Sequence, residues 1–394
     1  MKKVLIEKDT FLKKTFKKYY YGFITKLRVP SRLPEREIGY LTFSPERMVR
    51  HLALKSEGEL RALILHEVPK ALYYSSAYYD DPSAPINERI WKGADLIFDI
   101  DLDHLPYEEN LMTSFYICPI CKNMFDNLIN KNCPNCNSQT IEEVKIATKK
   151  GLESCKKEII KLTEILEKDF GLLKDNFCIY FSGKRGYHLT VEGSKYEIAD
   201  QPFRIELSDY LTLNGFKINR ILNENISIEQ QIHQFPSPWE RGWLGRFSRE
   251  YIKSTFSDFI NHDEDSFRKI LLSILSSSKH ENLLSSLESI KKRLSVKIDV
   301  AVTTDVHRIF RMPDTLHGGT GLVKKKVDEI DKFSPLTDAV VLSDEPTKIH
   351  VLYSPKLELK DTFYGPYKNE DITLPEYVAT FLVAMGLAQT IENS

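Results

Sequence analysis

The sequence lacks any apolar run that could cross a membrane, and neither sign of charge dominates its 394 residues. A spanning helix needs about 18 or more consecutive apolar residues, and no segment approaches that length. The opening residues, MKKVLIEKD, also lack the apolar stretch of a signal peptide, so we expect a cytosolic protein with no membrane partner. Because the net charge is −1, composition alone does not indicate a nucleic-acid partner.

Internal repeats and low-complexity linkers are absent as well. What is present is the composition of an ordinary globular protein, with 42% hydrophobic and 28% charged residues. The length suggests two or three structural units. Helix and strand patterns alternate along most of the chain, whereas helix patterns dominate from about 200 to 293. The pattern therefore predicts an α/β protein that contains one helical segment.

Only six cysteines occur, and four of them form two closely spaced pairs. The pairs Cys118/Cys121 and Cys133/Cys136 have the C-x-x-C spacing that points two thiolates at one ion. Four thiolates complete a tetrahedral zinc site without a vacancy for water, so we predict one structural Zn²⁺. Disulfide pairing is the alternative, but nothing in the sequence indicates the oxidising compartment that it needs.

Acidic residues interrupt an apolar run of strand character at residues 95–104, which read DLIFDIDLDH. Alternate side chains of a strand point to opposite faces, so Asp99, Asp101 and Asp103 would share one face. Residues i and i+2 lie roughly 6.5–7 Å apart at Cα, which suits carboxylates that bridge two divalent cations. Such oxygen ligands favour Mg²⁺ or Mn²⁺. A solvent-facing acidic strand end is the alternative.

A further aspartate stands in a second apolar alternation, VKIDVAVTTD, at residues 296–305. Read as a strand, this segment turns its apolar residues to one face and Asp299 to the other. If the two strands are neighbours, Asp99, Asp101 and Asp299 can hold two metal ions.

Two glycines bracket a basic pair in CIYFSGKRGYHLTV, residues 178–191. A tight turn between the glycines lets backbone N–H groups approach an anion. Ser182, Lys184 and Arg185 add donors that suit phosphate oxygens. His188 would lie just beyond the turn. The segment predicts a hairpin that could hold a triphosphate, although it is not a P-loop, and a plain hairpin with a basic tip is the alternative.

A second basic group occurs in the stretch DVHRIFRMPDTLHGGTGL. Arg308 and Arg311 are three residues apart, and His317 precedes a glycine-rich bend, a layout that could bring cations to a polyphosphate. A basic surface patch is the alternative. Together the clusters fit one chemistry, in which carboxylates hold two metals and basic groups hold a nucleoside triphosphate for nucleotidyl transfer.

The sequence resembles the small, catalytic subunit of the archaeal and eukaryotic DNA primases over about residues 35–388. The segments that carry the resemblance, in family order, are YYSSAYY, WKGADLIFDIDLD, the cysteine cluster, DFGLLKDNFCIYFSGKRGYH, KIDV and RMPDTLHGGTGL. The ending LHGGTGL favours an archaeal member.

The resemblance implies a role for each candidate residue. Asp99, Asp101 and Asp299 match the catalytic, metal-binding triad of the family. The residues that match its binding site for the incoming triphosphate are Ser182, Lys184, Arg185, His188, Arg308, Arg311 and His317. Arg50 resembles a further active-site arginine. Lys184 stands where many members carry arginine, which keeps the charge but loses bidentate geometry.

The implied fold is a two-layer primase-type catalytic core with a mixed sheet, an inserted zinc-binding module and an inserted all-helical subdomain. The expected bounds are 1–199 and 294–394 for the core, 116–140 for the zinc module and 200–293 for the helical subdomain. A replication enzyme of this kind would lie in the cytoplasm with the nucleoid, or in the nucleus of a eukaryote.

The implied activity is that of a DNA-directed RNA polymerase of primase type. Such an enzyme makes short RNA primers de novo on single-stranded DNA, and in archaeal relatives often DNA primers as well, with two Mg²⁺ or Mn²⁺ ions. The implied partners are an iron–sulfur-containing large subunit, the single-stranded template, and NTPs or dNTPs.

Three alternatives to this activity remain open at the level of sequence. A repair or plasmid primase-polymerase of the same superfamily would need no large subunit. A two-metal nuclease would share the carboxylates but has no use for a triphosphate cradle. A non-catalytic zinc-ribbon protein would keep its binding role after loss of Asp99 or Asp101.

Overall fold

The computed structural model describes residues 4–106, 111–121, 123–125, 132–223, 225–255, 263–277 and 280–392. The chain divides into two compact units. The first consists of Met1–Ile159, Asp175–Gln201 and Asp299–Ser394, and the second of Ile160–Lys174 and Pro202–Ile298. Sheets and helices combine in the first unit, and helices dominate the second, which confirms the predicted α/β class. No helix in the described ranges is long and apolar enough to cross a membrane.

Three four-stranded sheets form the framework of the first unit. In order across the sheet, the first contains β14 (Lys325–Lys326), β11 (Phe177–Phe181), β12 (Gly186–Val191) and β7 (Leu96–Asp101). The second contains β13 (Ile309–Arg311), β4 (Ala71–Ser75), β2 (Glu37–Leu41) and β3 (Met48–Ala53). The third contains β1 (Val4–Ile6), β19 (Ala388–Glu392), β15 (Pro346–Ser354) and β18 (Tyr367–Pro375).

Smaller sheets complete the unit. One has three strands, β10 (Glu142–Ala147), β8 (Met112–Ile117) and β9 (Met124–Phe125). Two more are the pairs β5 (Ala77–Tyr79) with β6 (Trp91–Ala94), and β16 (Leu357–Leu359) with β17 (Thr362–Tyr364). Every strand pair in the described residues is antiparallel, so the expectation of a mixed sheet is wrong. Tight hairpins such as β11–β12 account for several of these pairs, because a short turn can join only antiparallel strands.

The helices fall into two groups. The first unit carries α1 (Lys8–Phe23), α2 (Glu57–Glu67), the start of α3 (Lys149–Phe170), α9 (Val300–Thr304), α10 (Pro335–Asp338) and α11 (Glu376–Ala384). Every residue of α11 is buried, and this helix packs against β15 and α1. Its lack of a polar face is typical of a helix that is covered on all sides.

The second unit contains the end of α3 together with α4 (Gln201–Thr212), α5 (Ile228–Gln234), α6 (Gly242–Thr255), α7 (Glu264–Ser277) and α8 (His280–Leu294). Helices α6 and α8 pack together, and Phe247 and Leu287 are buried in this unit. Asp169 accepts hydrogen bonds from Arg246 at 2.9 Å and from the Tyr210 hydroxyl at 2.8 Å, so a buried ion pair joins α3, α4 and α6.

Candidate active site and zinc centre

Asp99 and Asp101 lie on the same face of β7, as their spacing predicts. The antiparallel register of β7 and β12 places His188 opposite Asp99 and Gly186 opposite Asp101. Each carboxylate side chain keeps 23% of its area exposed, whereas the alternate residues of the strand are buried. The two carboxylates are therefore accessible to a cation while the other face of the strand packs in the core.

Asp95 has a different role from the aspartates that follow it. Its side chain is fully buried and accepts a hydrogen bond of 2.8 Å from Arg36, which is also fully buried. The Tyr78 hydroxyl donates to the second carboxylate oxygen. A buried carboxylate with two donors and a cation is satisfied by the protein itself, so Asp95 is a structural residue.

Asp299 lies beside β7, but the prediction that it stands on a strand is wrong. Residues 300–304 form the short helix α9, and Asp299 is its N-cap. One carboxylate oxygen accepts hydrogen bonds from the N–H groups of Ala301 at 2.9 Å and Val302 at 3.3 Å. Aspartate is a preferred N-cap because it satisfies free N–H groups of the first turn, and the alternation of valines did not reveal this.

Two contacts fix Asp299 next to the other carboxylates. Its backbone N–H donates a hydrogen bond of 2.9 Å to the carbonyl oxygen of Asp99. Val302 of α9 packs in a buried cluster with Ile97 of β7 and Phe310 of β13. The two segments that carry the three predicted aspartates therefore meet at the end of β7, although they come from distant parts of the sequence.

The electrostatics of this cluster favour a bound cation. Burial, followed by the charges of Asp101 and Asp299, raises the pKa of Asp99 to about 7. The nearest basic groups compensate the charge only in part: His104 Nε2 lies 3.9 Å from Asp299, and Arg185 Nε lies 3.7 Å from Asp101. A carboxylate whose pKa is raised by burial and by neighbouring carboxylates belongs to a donor set suited to hard divalent cations.

His188 lies directly against this cluster. Its Nε2 atom is 3.5 Å from a carboxylate oxygen of Asp99, and its ring packs on Phe310 with centroids 4.4 Å apart. Burial, together with the charges of Lys324 and Arg311, lowers the pKa of His188. A neutral imidazole can donate one hydrogen bond without adding charge, so His188 can orient a ligand but does not neutralise the aspartates.

The predicted hairpin forms, and residues 182–186 make its turn, here called the basic turn. Ser182 Oγ accepts hydrogen bonds from the N–H groups of Lys184 and Gly186 at 3.3 and 3.2 Å, so this hydroxyl shapes the turn from within. Thr320 donates a hydrogen bond of 2.6 Å to the carbonyl of Gly183, whose φ is +82°. Hydrogen bonds within the turn, together with one from Thr320 outside it, thus stabilise the turn conformation that Gly183 allows.

Gly186 lets the basic turn approach β7 more closely than any other residue could. A Cβ atom at this position would lie 2.0 Å from the carbonyl oxygen of Ile100. The close approach brings Arg185 to the acidic strand end, where its guanidinium contacts Asp103 at 2.6 Å. The sequence correctly places the glycine at a turn, but its contact with β7 depends on strand pairing.

The second basic group is only partly assembled around the basic turn. Arg311 lies on β13 and donates a hydrogen bond of 3.2 Å to the carbonyl of Ser182. The Nδ1 atom of His317 accepts a hydrogen bond of 2.9 Å from the N–H of Gly319, and burial lowers the pKa of His317. Arg308 instead lies exposed just before β13, and its carbonyl accepts a hydrogen bond from the N–H of Ser76. Arg311 and His317 therefore neighbour the turn, whereas Arg308 faces solvent.

Arg50 belongs to a second ion-pair cluster, centred on Glu37. Arg50 on β3 donates to both carboxylate oxygens of Glu37, at 2.9 and 3.3 Å. Arg89 donates to the same carboxylate at 2.7 Å, and this pair is almost fully buried. Burial opposes the charged form of Glu37, but the hydrogen bonds from the two arginines outweigh it, so the pKa of Glu37 is lowered.

Lys324 is a residue of this region that the sequence analysis missed. It is fully buried, its Nζ donates a hydrogen bond of 2.6 Å to the carbonyl of Arg311, and it lies 4.8 Å from the ring centres of Tyr180 and Phe310. Burial, followed by the charge of Arg311, lowers the pKa of Lys324. Because it is the first of three consecutive lysines, the sequence gives no sign of which one is buried.

The four paired cysteines come together as predicted. Their Sγ atoms all lie within 4.8 Å of one another, with Cys118 and Cys136 3.5 Å apart and Cys121 and Cys133 3.6 Å apart. Sulfurs at about 2.3 Å from one tetrahedral ion have separations of this size. All four are free thiols rather than disulfides, so the cluster could bind one zinc ion.

Short turns support the cysteine cluster. The N–H of Cys118 donates to the carbonyl of Asn123 at 2.9 Å, and the N–H of Cys133 donates to the carbonyl of Ser138 at 2.7 Å. A hydrogen bond from Asn135 is the largest influence that lowers the pKa of Cys121, which is about 6. Such donors favour thiolates, the form that binds metal. Residues 122 and 126–131 of the predicted zinc module lie outside the described residues.

Comparisons with known proteins identify one family. The sequence profile described as DNA primase small subunit matches residues 137–329. The DNA primase small subunit of Nitrosopumilus maritimus is 35% identical over 388 residues, which cover 96% of this chain and 97% of that protein. The corresponding protein of Cenarchaeum symbiosum is 32% identical, with 97% and 99% covered, and that of Archaeoglobus fulgidus is 32% identical, with 95% and 97% covered.

Proposed function

The chain belongs to the DNA primase small-subunit family and is an enzyme of the primer-synthesising kind, and from this membership we propose its reaction and the residues that perform it. The proposed activity is that of a DNA-directed RNA polymerase of primase type, which starts primers de novo on single-stranded DNA. The hydrogen bond between the Asp299 N–H and the Asp99 carbonyl is the observation that supports this most, because it joins the two acidic segments.

We assign two divalent cations, Mg²⁺ or Mn²⁺, to Asp99, Asp101 and Asp299. The raised pKa of Asp99 supports this assignment, because it reflects burial and the adjacent charges of Asp101 and Asp299, both of which a bound cation would offset. When bound, such a pair of ions favours deprotonation of an attacking hydroxyl and stabilises the charge of a leaving pyrophosphate. In the reaction, the 3′-hydroxyl oxygen bonds to the α-phosphorus of the incoming nucleotide, and the bond to pyrophosphate breaks. No protein nucleophile takes part.

The basic turn is the proposed site for the triphosphate. Lys184 and Arg185 supply cations at its tip, while Arg311 supports the turn through the Ser182 carbonyl. His188, neutral and next to Asp99, is positioned to donate a hydrogen bond where the phosphates meet the carboxylates.

We propose that the remaining site residues either support the basic turn or provide further contacts to phosphates. We propose His317 as a support of the turn, since its Cβ lies 3.3 Å from a Cβ built on Gly183. Arg308 and Arg50, which contact neither the turn nor the aspartates in the described hydrogen bonds and ion pairs, are proposed to bind phosphates of the nucleotide, template or primer.

The rest of the proposal concerns the larger architecture. One structural zinc ion is assigned to the four cysteines, because four sulfurs leave no open coordination position. We propose three domains, with bounds of 1–199 and 294–394 for the catalytic core, 116–140 for the zinc module and 200–293 for the helical subdomain. The partners would be a primase large subunit, a single-stranded DNA template, and NTPs or dNTPs, and a replication role in an archaeal cell would locate the protein in the cytoplasm beside the nucleoid.

The decisive experiment is primer synthesis on unprimed single-stranded DNA with Mg²⁺ or Mn²⁺, comparing rNTPs with dNTPs, with and without the large subunit. We expect labelled products that Asp101→Asn abolishes and Asp328→Asn, at a largely exposed aspartate, leaves unchanged. Degradation of a labelled strand without synthesis would instead indicate a two-metal nuclease. Full activity without the large subunit would favour an independent primase-polymerase.

A further inference from the structure

A cavity of about 190 Å³ lies beside the basic turn, within the first unit. Lys184, Arg185 and Thr320 contribute to its lining. Among the described residues, the lining includes neither the three aspartates nor Arg311. The cavity is therefore distinct from the candidate active site, although the two share the basic turn.

The interior of the cavity is apolar and small. Leu357, Leu359 and Phe381 line it and are buried. A drug-sized ligand usually occupies roughly 300–1,000 Å³, so a cavity of this size admits one ring system rather than a whole ligand. A ligand that fits must keep the rest of its structure outside, at the rim.

The rim is cationic. Besides the basic turn, Lys145, Lys149 and Lys356 line the cavity. The acidic residue in the described lining is Glu358. Its carboxylate lies 3.5 Å from Lys149 Nζ, so this negative charge is already compensated. Lys145 lies 3.4 Å from Glu143 and Arg185 lies 2.6 Å from Asp103, so these two cations also have carboxylate partners. The positive charge that the described ion pairs leave over at the rim is that of Lys184 and Lys356, which favours an anionic group on the ligand.

An exposed aromatic ring completes the rim. The Phe363 side chain on β17 is 60% exposed, and Lys356 Nζ lies 4.3 Å from its ring centre. An exposed ring with a neighbouring cation is the combination that stacks a nucleobase and holds its phosphate.

We propose that this cavity is a second nucleotide site, which binds a nucleoside polyphosphate in addition to the nucleotide of the candidate active site. The base stacks on Phe363 and enters the apolar interior, and the phosphates lie among the rim lysines. Because Lys184 and Arg185 line both sites, an occupant competes for cations that the incoming nucleotide uses. That effect on synthesis rests on the proposed function, whereas the binding itself does not.

Calorimetric titration of the full, zinc-loaded chain with ATP in Mg²⁺ tests the proposal. We expect two equivalents to bind to the wild type. Phe363→Ala and Lys356→Glu should each weaken one of the two sites by about 10-fold or more and spare the other, since both side chains are exposed and neither belongs to the catalytic machinery. Lys348→Glu, at an exposed lysine outside the lining, should keep both sites.

Primer synthesis at high ATP provides the second readout. The wild type should slow as ATP rises into the range that fills the weaker site, and Phe363→Ala should not. Two bound ATP molecules in a chain that makes no primer would contradict the proposed function while supporting the second site.

Several results would overturn the second site. One is a wild type that binds a single equivalent of ATP, and another is that both rim variants bind two equivalents with unchanged affinity. A third is tripolyphosphate that binds as tightly as ATP, with an affinity that Phe363→Ala does not change. Loss of oligothymidylate binding in Phe363→Ala with ATP binding unchanged would also overturn it, in favour of a strand-binding surface.

Discussion

The N–H of Asp299 donates a hydrogen bond of 2.9 Å to the carbonyl of Asp99, and this bond ties the start of α9 to β7, the strand that carries Asp99 and Asp101. Asp299 thus has two roles. Its backbone and one carboxylate oxygen build the structure, and the carboxylate charge remains for a ligand.

The two roles of Asp299 can be separated by substitution. Asp299→Asn keeps a side-chain oxygen for the N-cap, so we expect a melting temperature close to that of the wild type together with loss of primer synthesis. Asp299→Ala removes the cap as well and should cost about 1 kcal/mol of unfolding free energy in addition. Thermal unfolding and a synthesis assay measure the two effects. An active Asp299→Asn enzyme would remove this residue from the metal site.

The raised pKa of Asp99 predicts a stability that depends on pH. In the unfolded chain this carboxyl ionises near 3.9, whereas in the folded protein it retains its proton up to about 7. Folding therefore takes up a proton, and the contribution of Asp99 to stability falls as pH rises from about 4 through 7.

Asp99→Asn removes this loss. In Mg²⁺-free buffer at pH 8 we expect the variant to be more stable than the wild type by roughly 2 kcal/mol, with the difference vanishing near pH 4. Denaturant unfolding of zinc-loaded protein measures it. Equal stability of the two proteins at pH 8 would mean that neither burial nor the neighbouring carboxylates disfavour the charged form of Asp99 appreciably.

Gly186→Ala should damage the basic turn. Its Cβ would lie 2.0 Å from the Ile100 carbonyl, so the turn must move away from β7 and carry Arg185 with it. We expect a raised KM for nucleotides and a lower melting temperature. Gly22→Ala is the matched control, because a Cβ there meets nothing within 4 Å. A variant with unchanged KM would show that the turn does not need its approach to β7.

The cysteine cluster should stabilise the fold rather than act in the chemical step. We expect Cys133→Ser to lose zinc and melting temperature while the folded fraction keeps its kcat, because the site closes a loop and holds no substrate. Cys178→Ser, at a cysteine outside the cluster, should retain the metal. A fully folded Cys133→Ser protein with greatly reduced kcat would contradict this role.

The sequence predicted those parts of the site that depend on local pattern. Asp99 and Asp101 lie on one face because strand geometry alternates, the basic turn forms where glycines allow it, and cysteine spacing sets the metal cluster. These features need only a few neighbouring residues, so a single sequence contains them.

The features that the sequence did not reveal depend on contacts between distant segments. Valine alternation after Asp299 indicated a strand, but capping and packing on β7 select a short helix. The sequence does not distinguish Asp95 from the aspartates that follow it, because its ion pair with Arg36 depends on tertiary packing. The burial of Lys324 among three lysines, and the cluster that holds Arg50, likewise follow from tertiary packing.

The contact between Arg185 and Asp103 has a consequence for discrimination among nucleotides. The Arg185 guanidinium already has an anionic neighbour at 2.6 Å. A phosphate that displaces this carboxylate therefore gains only the difference between the two interaction free energies. A monophosphate offers little advantage in that exchange, whereas a chain of three phosphates brings more charge and can contact the turn at several points. Mono- and diphosphates would then be poor inhibitors, and the enzyme would respond to the concentration of triphosphate rather than to that of total nucleotide.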